Sequence, residues 1–158
     1  MRDRALVTGG AGFIGSNLVD GLLARDRDVT VLDDLSTGRL ENLVAALNAG
    51  AQLHTASVTD TSALERAFED ARPDIVFHLA AQIDVRRAVE DPGFDATANV
   101  LGTLNVLETA RWCGVRRFVL ASTGGASTAR PTKCRRPRAQ RRGRSRRTPP
   151  PRRRRKST

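Results

Sequence analysis

Three glycines between an apolar segment and a helical pattern are the residues whose spacing most clearly predicts chemistry. Gly9, Gly12 and Gly15 follow the apolar run Ala5–Thr8. The first permits a sharp turn, the second lets the backbone approach a pyrophosphate without a Cβ, and the third lets the next helix lie close to the strand. The free N–H groups and positive dipole end of that helix would face the anion. We therefore predict a dinucleotide phosphate-binding loop rather than an ordinary glycine turn.

A second buried run ends in two carboxylates. Val29–Leu32 is followed by Asp33 and Asp34, and Asp33 lies eighteen residues after Gly15. A carboxylate at this place accepts hydrogen bonds from ribose hydroxyls and repels a 2′-phosphate, so the sequence predicts NAD rather than NADP as the cofactor. Without the glycines, Asp33 would be better explained as a solvated acid at the end of a strand.

The elements that must position these residues alternate between strand and helix. The predicted strands are 4–8, 28–33, 51–56, 74–79 and 117–121, and the predicted helices are 12–25, 39–49, 61–71 and 94–113. This alternation predicts an α/β fold with a Rossmann-type doubly wound parallel sheet. Asp60 is expected to cap the third helix, and Gly50 and Gly114 to end the second and fourth.

Composition divides the 158-residue chain, whose net charge is +10, into two unlike parts. Residues 1–126 carry 12 basic and 17 acidic side chains, as an ordinary globular domain does. Residues 127–158 carry 13 arginines, two lysines, five prolines and no acidic side chain. Because dense like charge with few apolar residues cannot offset chain entropy, we expect 127–158 to be a disordered tail.

The cysteines and the hydropathy indicate where in the cell the protein is expected and whether it holds a metal site. The two cysteines, Cys113 and Cys134, have no metal-ligand spacing. We therefore predict free thiols in the cytoplasm and no metal site. No signal peptide and no apolar run of about 18 residues is visible, so we expect no membrane association.

The motifs together resemble a known family. Thr8–Gly15 followed by Asp33–Gly38 is similar to the extended short-chain dehydrogenases/reductases, a family of NAD-dependent epimerases and dehydratases, and most of all to their UDP-glucose 4-epimerase-like branch. The resemblance runs from about Ala5 to Ala126, which makes 1–126 part of an NAD-binding Rossmann domain. It implies NAD as cofactor, a nucleotide-sugar substrate, hydride exchange at the sugar C4 and a homodimer in the intact protein.

The resemblance also implies a cofactor site drawn from several loops. Its members are Gly9, Gly12, Phe13, Ile14, Gly15, Asp33, Asp34, Ser36, Thr37, Gly38, Ser57, Val58, Leu79, Ala80, Ala81, Gln82, Asn99 and Ser122. Ser57 stands where the family has the aspartate that bonds the adenine amino group, and the Val58 backbone supplies part of that contact. His78 is interpreted as a packed structural histidine, because the motif gives it no carboxylate partner.

Catalysis in the family requires residues that this chain lacks. By resemblance, the hydroxyl of Thr123 orients the sugar 4-hydroxyl and relays its proton, while a tyrosinate takes that proton and a lysine four residues later lowers the tyrosine pKa. The sequence contains no tyrosine, and its two lysines, Lys133 and Lys156, lie in the basic tail. We therefore predict that the chain as given is inactive alone.

Two other interpretations remain open. The specificity residues lie outside the resemblance, so a related nucleotide-sugar dehydratase or decarboxylase fits the same motifs. A second interpretation is a non-catalytic NAD-binding module whose arginine-rich tail binds nucleic acid. Because the tail has no aromatic residues for base stacking, we expect such binding to be nonspecific and to collapse with salt.

We predict that residues 127–158 are an out-of-frame reading of the gene, because the composition changes abruptly after Ala126 in the middle of a family motif. If Ser127–Arg130 is encoded TCT-ACG-GCG-AG(A/G), one added A before it gives Ile-Tyr-Gly-Glu, which continues Thr-Gly-Gly-Ala as family members do. The same shift through Pro131–Arg135 allows Ala-Asp-Glu-Val-Pro. Resequencing the locus should find these codons and a downstream Tyr-x-x-x-Lys in the neighbouring frame. The absence of either feature from the neighbouring frame would contradict the prediction, and the basic tail would then have to be considered a real arm of the protein.

Overall fold

The computed structural model describes residues 3–122, which form a parallel sheet with helices on both faces. The strands are β1 (Arg4–Thr8), β2 (Asp28–Asp33), β3 (Gln52–Thr55), β4 (Ile75–His78) and β5 (Arg117–Leu120). The α-helices are α1 (Phe13–Leu23), α2 (Val44–Asn48), α3 (Thr61–Ala71), α4 (Val85–Glu90), α5 (Pro92–Ala96) and α6 (Gly102–Trp112). The strand order β3-β2-β1-β4-β5 confirms the predicted doubly wound α/β fold.

Alternation along the buried strands supplies a core to each face of the sheet. Leu6, Leu32 and Val76 pack with α3 and α6 on one face. Val7 and Val31, the strand neighbours of Leu6 and Leu32, pack with α1 and α2 on the other face. Because side chains alternate across a strand and both faces are covered, these strands read as nearly continuous apolar runs.

The turn from β1 into α1 exists only because two of its glycines lack a Cβ. Gly9 has φ +71°, and a Cβ there would lie 2.6 Å from the Ala80 nitrogen. A Cβ on Gly15 would lie 2.1 Å from the Gly9 carbonyl oxygen. The first glycine therefore lets the turn touch the chain leaving β4, and the second lets α1 start directly against that turn.

The predicted N-cap of α3 and the two predicted glycine helix ends are confirmed. The Asp60 carboxylate accepts a hydrogen bond from the Ala63 amide at 3.0 Å, which caps α3. Gly50 and Gly114 have φ of +99° and +68° and follow the helices they were expected to end. Among residues 3–122, no helix is both long enough and apolar enough to cross a membrane.

Two predicted helices differ from the structure. The segment predicted as one helix over 39–49 is a 3-10 turn, Leu40–Leu43, followed by α2. The helix predicted from residue 94 begins at Pro92, where the Asp91 carboxylate accepts from the Phe94 amide, and it contains a π-helical turn at Thr97–Leu101. Proline favours the first helical position, so the helix starts earlier than its apolar stripe.

The sequence analysis missed α4. Asp84 caps this helix by accepting from the Arg86 amide at 2.9 Å, yet none of the residues of α4 is buried. Val85, Ala88 and Val89 recur at helical spacing, but α4 has only six residues, fewer than the window over which apolar periodicity predicts a helix.

Asp74 joins three strands at the amino edge of the sheet. Its carboxylate accepts from the Arg4 amide at 3.0 Å, and its carbonyl oxygen accepts from the amides of Arg116 and Arg117. The hydrogen bond from the Arg4 backbone is the main reason that the pKa of Asp74 lies below its usual range. These bonds fix where β1, β4 and β5 begin relative to one another.

We predict opposite effects for two glycine-to-alanine substitutions in α1. Gly15→Ala should lower the free energy of unfolding by about 2 kcal/mol or more, because its Cβ meets rigid backbone. Gly21→Ala, the matched control, should raise it by about 0.5–1 kcal/mol, because the nearest atom to its Cβ is an Arg25 side-chain nitrogen at 3.5 Å. Urea unfolding measures both. Equal effects would show that the close approach at Gly15 does not exist.

Candidate functional site

A crevice opens at the carboxyl edge of the sheet between β1 and β4. The chain leaves β1 toward β2 on one side and leaves β4 toward β5 on the other, so the loops after these adjacent strands diverge. Leu79, Ala80 and Gln82 are partly buried and Ala81 is exposed in the loop after β4. The Gly9 turn lies directly against the Leu79–Ala80 backbone. In open α/β sheets, ligands bind at this kind of switch point.

The amino end of α1 has the properties of an anion site. Gly12 is its N-cap, no side chain caps it, and its first turn has no acidic residue. A Cβ on Gly12 would meet only the Gly9 carbonyl oxygen, at 3.4 Å, so the remaining space around it is open. Phe13 and Ile14 in the first turn are 84% and 70% exposed. The uncapped N–H groups and the helix dipole therefore face open space that a phosphate can occupy.

Asp33 is buried and holds two loops at once. Its Oδ2 accepts from the Ala11 amide at 2.8 Å, and its Oδ1 accepts from the Leu35 amide at 2.9 Å. Gly38 lies against this pair, since a Cβ there would be 3.0 Å from Asp33 Oδ1. A carboxylate oxygen has more than one lone pair, so Asp33 can also accept from a ligand hydroxyl.

Asp34, the neighbouring acidic residue, has a different role. Asp34 is exposed, and its Oδ1 accepts from the Ser36 amide at 2.9 Å. This bond closes an Asx turn after β2. Ser36 and Thr37 are exposed in the same turn. The structure thus separates the two predicted carboxylates into a buried one beside the glycine loop and an exposed one in a turn.

Asn42 is a positioning residue that the sequence analysis missed. Its Nδ2 donates to the Ala11 carbonyl oxygen at 2.8 Å, and the Arg39 amide donates to the same oxygen at 3.1 Å. With the bond from Ala11 to Asp33, both backbone groups at the centre of the glycine loop are held. The bond spans 31 residues of sequence, and a lone asparagine in a helical turn carries no motif that would reveal it.

Ser57 and Val58 follow β3 at the same edge. The Ser57 and Thr59 hydroxyls are hydrogen-bonded at 2.9 Å, and the Thr59 amide donates to Ser57 Oγ at 3.3 Å. Val58 is buried against α6, and its carbonyl oxygen accepts from Asn105 Nδ2 at 3.2 Å. Ser57 therefore has a hydroxyl within a local turn, at the position where the resemblance implies a carboxylate.

Asn99 holds the loop after β4 by two backbone bonds. Its Oδ1 accepts from the Gln82 amide at 2.8 Å, and its Nδ2 donates to the Gln82 carbonyl oxygen at 2.9 Å. Asn99 lies in the π-helical turn, a feature often found at functional sites. Asn99 and Gln82, which the sequence analysis assigned to the same site, are 17 residues apart in the sequence and are in direct contact in the structure.

His78 ends β4 directly beneath this loop and is 2% exposed. Its Nδ1 lies 2.6 Å from Thr8 Oγ1, and its Nε2 lies 3.0 Å from Thr103 Oγ1. Burial lowers the pKa of His78 to about 4, so the ring is neutral at pH 7. These contacts agree with the interpretation of His78 as a packed histidine.

Two site residues lie at or beyond the end of the described chain. Ser122 is exposed and is the last described residue, and Thr123 lies outside the described residues. Within residues 3–122, no group of three or more potential metal ligands comes together.

Comparisons with known proteins find relatives over most of the chain. The NAD dependent epimerase/dehydratase family matches residues 5–148, a range that includes part of the basic segment. The UDP-glucose 4-epimerase of Mycolicibacterium smegmatis is 50% identical over 129 residues, covering 81% of this chain and 41% of that protein. The dTDP-glucose 4,6-dehydratase of Neisseria meningitidis serogroup B is 41% identical over 111 residues, covering 68% and 31%.

A solved structure has the same fold as the described part. The Thermus thermophilus UDP-glucose 4-epimerase, in complex with NAD, matches with a TM-score of 0.72 and 49% identity. The match covers 78% of this chain and 38% of that one. The chain therefore spans about 40% of the length of these epimerases.

Proposed function

The chain belongs to the NAD dependent epimerase/dehydratase family, and on that premise we propose that residues 3–122 are the NAD-binding part of a nucleotide-sugar epimerase. The single observation that carries the proposal is the switch-point crevice, where the uncapped α1, the open Gly12 and the buried Asp33 converge. The pyrophosphate would lie on the α1 amino end, with Phe13 and Ile14 beside it, and the adenosine ribose at Asp33.

Other predicted residues would surround the remainder of the cofactor. Ser57 and Val58 lie at the carboxyl edge of β3, where the adenine would extend. The loop from Leu79 to Gln82 would line the pyrophosphate and the nicotinamide ribose. Asn99 would act on the cofactor through Gln82, whose backbone it holds.

The reaction proposed for the whole enzyme is the epimerisation of a sugar at C4. When bound, NAD would supply reversible hydride exchange with the sugar C4, and a base of the intact enzyme would take and return the 4-hydroxyl proton. The higher identity to an epimerase than to a dehydratase supports this choice, 50% against 41%. Dehydratases and decarboxylases of nucleotide sugars remain the alternative, since they share the same N-terminal part.

We predict that the chain binds NAD more tightly than NADP, because Asp33 repels a 2′-phosphate. Asp33→Asn should lower the ratio of the NADP and NAD dissociation constants by about tenfold or more. The exposed neighbour provides the control, since Asp34→Asn should leave the ratio unchanged. Calorimetric titration with both nucleotides gives the two dissociation constants. Their ratio is unaffected by a loosening of the loop that weakens the binding of both nucleotides equally. Equal affinities in the parent chain would contradict the ribose assignment.

We also predict no epimerase turnover by the 158-residue chain, because it has no tyrosine to serve as the base. A threonine hydroxyl such as that of Thr123 does not ionise near neutral pH. UDP-glucose should give no UDP-galactose above a no-protein control when incubated with the chain and excess NAD. The same preparation should be shown to bind NAD, so that inactivity is not confused with misfolding. Interconversion of the two sugars would refute the prediction.

We propose that the outer face of the helix from Pro92 to Trp112 is the self-association surface of the intact protein. Val100, Leu104 and Leu107 recur at helical spacing and are exposed, and Trp112 at the end of the helix is 80% exposed. A row of exposed apolar side chains along one helix is typical of an interface rather than of a free surface.

A further inference from the structure

Three side chains from three elements form a continuous polar contact beneath the loop after β4. Thr8 ends β1, His78 ends β4 and Thr103 lies in the first turn of α6. Thr8 is fully buried, and the two contacts of the His78 ring are 2.6 Å and 3.0 Å long. The family resemblance assigns none of these residues to the cofactor site.

The donors and acceptors allow only one direction for this chain of hydrogen bonds. The Thr103 hydroxyl donates to the Asn99 carbonyl oxygen at 2.6 Å, so its single proton is used. Thr103 can then only accept from His78, whose Nε2 must carry the ring proton. Because the ring is neutral, Nδ1 has no proton and accepts from the Thr8 hydroxyl.

Both ends of the chain of bonds return to the same loop. The Thr8 hydroxyl, having donated to His78, accepts from the Ala80 amide at 3.3 Å. At the other end Asn99, whose carbonyl oxygen accepts from Thr103, holds the Gln82 backbone by its side-chain amide. The loop is therefore bonded at Ala80 and at Gln82 to one circuit that closes through the imidazole.

We propose that His78 and Thr103 are positioning residues for the cofactor, acting through this circuit on the loop from Leu79 to Gln82. The inference rests on the proposed function for the identity of the ligand. The loop lies against the Gly9 turn on one side, and Asn99 holds it on the other. Removing the Thr103 hydroxyl leaves the buried Nε2–H of His78 without an acceptor. This loosens the loop from Leu79 to Gln82 without removing any group that touches the cofactor.

Thr103→Val tests the proposal, because valine keeps the shape of threonine and removes only the hydroxyl. Thr103→Ser restores the hydroxyl. Thr109→Val is the matched control, since Thr109 lies in the same helix and makes the same type of bond to the Asn105 carbonyl oxygen at 2.8 Å, outside the circuit. All measurements use the full chain. Substitution of His78 itself is avoided, because removing a buried ring risks unfolding.

Thr103→Val should weaken NAD binding about tenfold by calorimetry. Thr103→Ser should restore the parental dissociation constant within about twofold, and Thr109→Val should leave it unchanged. If Thr103→Val only lowers the unfolding midpoint and binds NAD as the parent does, the residue is merely structural and the proposal is wrong.

Two readouts without cofactor separate this proposal from the proposed function. Hydrogen exchange at the Ala80 and Gln82 amides should accelerate in Thr103→Val and not in Thr109→Val. Nitrogen NMR of the His78 ring should find the proton on Nε2. A proton on Nδ1, or unchanged exchange at both amides, overturns the circuit. If the parent chain does not bind NAD, the proposed function fails, and these two readouts alone decide whether the circuit orders the loop.

Discussion

The candidate site depends on a steric constraint at the switch point, where the turn after β1 touches the backbone that leaves β4. No side chain fits between them, because a Cβ on Gly9 would lie 2.6 Å from the Ala80 nitrogen. This contact sets the distance between the glycine loop and the Leu79–Gln82 loop. The remaining hydrogen bonds, from Asp33, Asn42 and Asn99, then fix the orientation of loops whose separation is already determined.

Asp33 illustrates how the fold itself can hold a group that is proposed to bind the cofactor. Each of its oxygens accepts a backbone amide, so the carboxylate is fixed before any ligand arrives. Preorganisation of this kind lowers the entropic cost of binding. The next carboxylate, that of Asp34, is exposed and closes a turn by accepting from the Ser36 amide.

The sequence predicted those parts of the fold whose signals are local. The glycine spacing, the apolar strand runs and the Asp60 cap all lie within a few residues of the feature they specify. Three kinds of feature could not be predicted, for different reasons. The α4 helix is six residues long and has no buried face, and no sequence signal in Thr97–Leu101 distinguishes a π-helical turn from an α-helical one. The bonds of Asn42 to Ala11 and of Thr8 to His78 join residues 31 and 70 apart in the sequence.

The contact between Thr8 and His78 follows from the register of two strands. These residues are paired in the parallel ladder of β1 and β4, and both point to the face where Leu6 and Val76 pack against α3 and α6. A slip of one residue would place Phe77 opposite Thr8 and turn the histidine toward the α1 face. Asp74, bonded to Arg4, Arg116 and Arg117 at the amino edge, resists that slip. The backbone hydrogen bonds of Asp74 at one end of the sheet therefore support the register that brings Thr8 and His78 together at the other end, where the cofactor is proposed to bind.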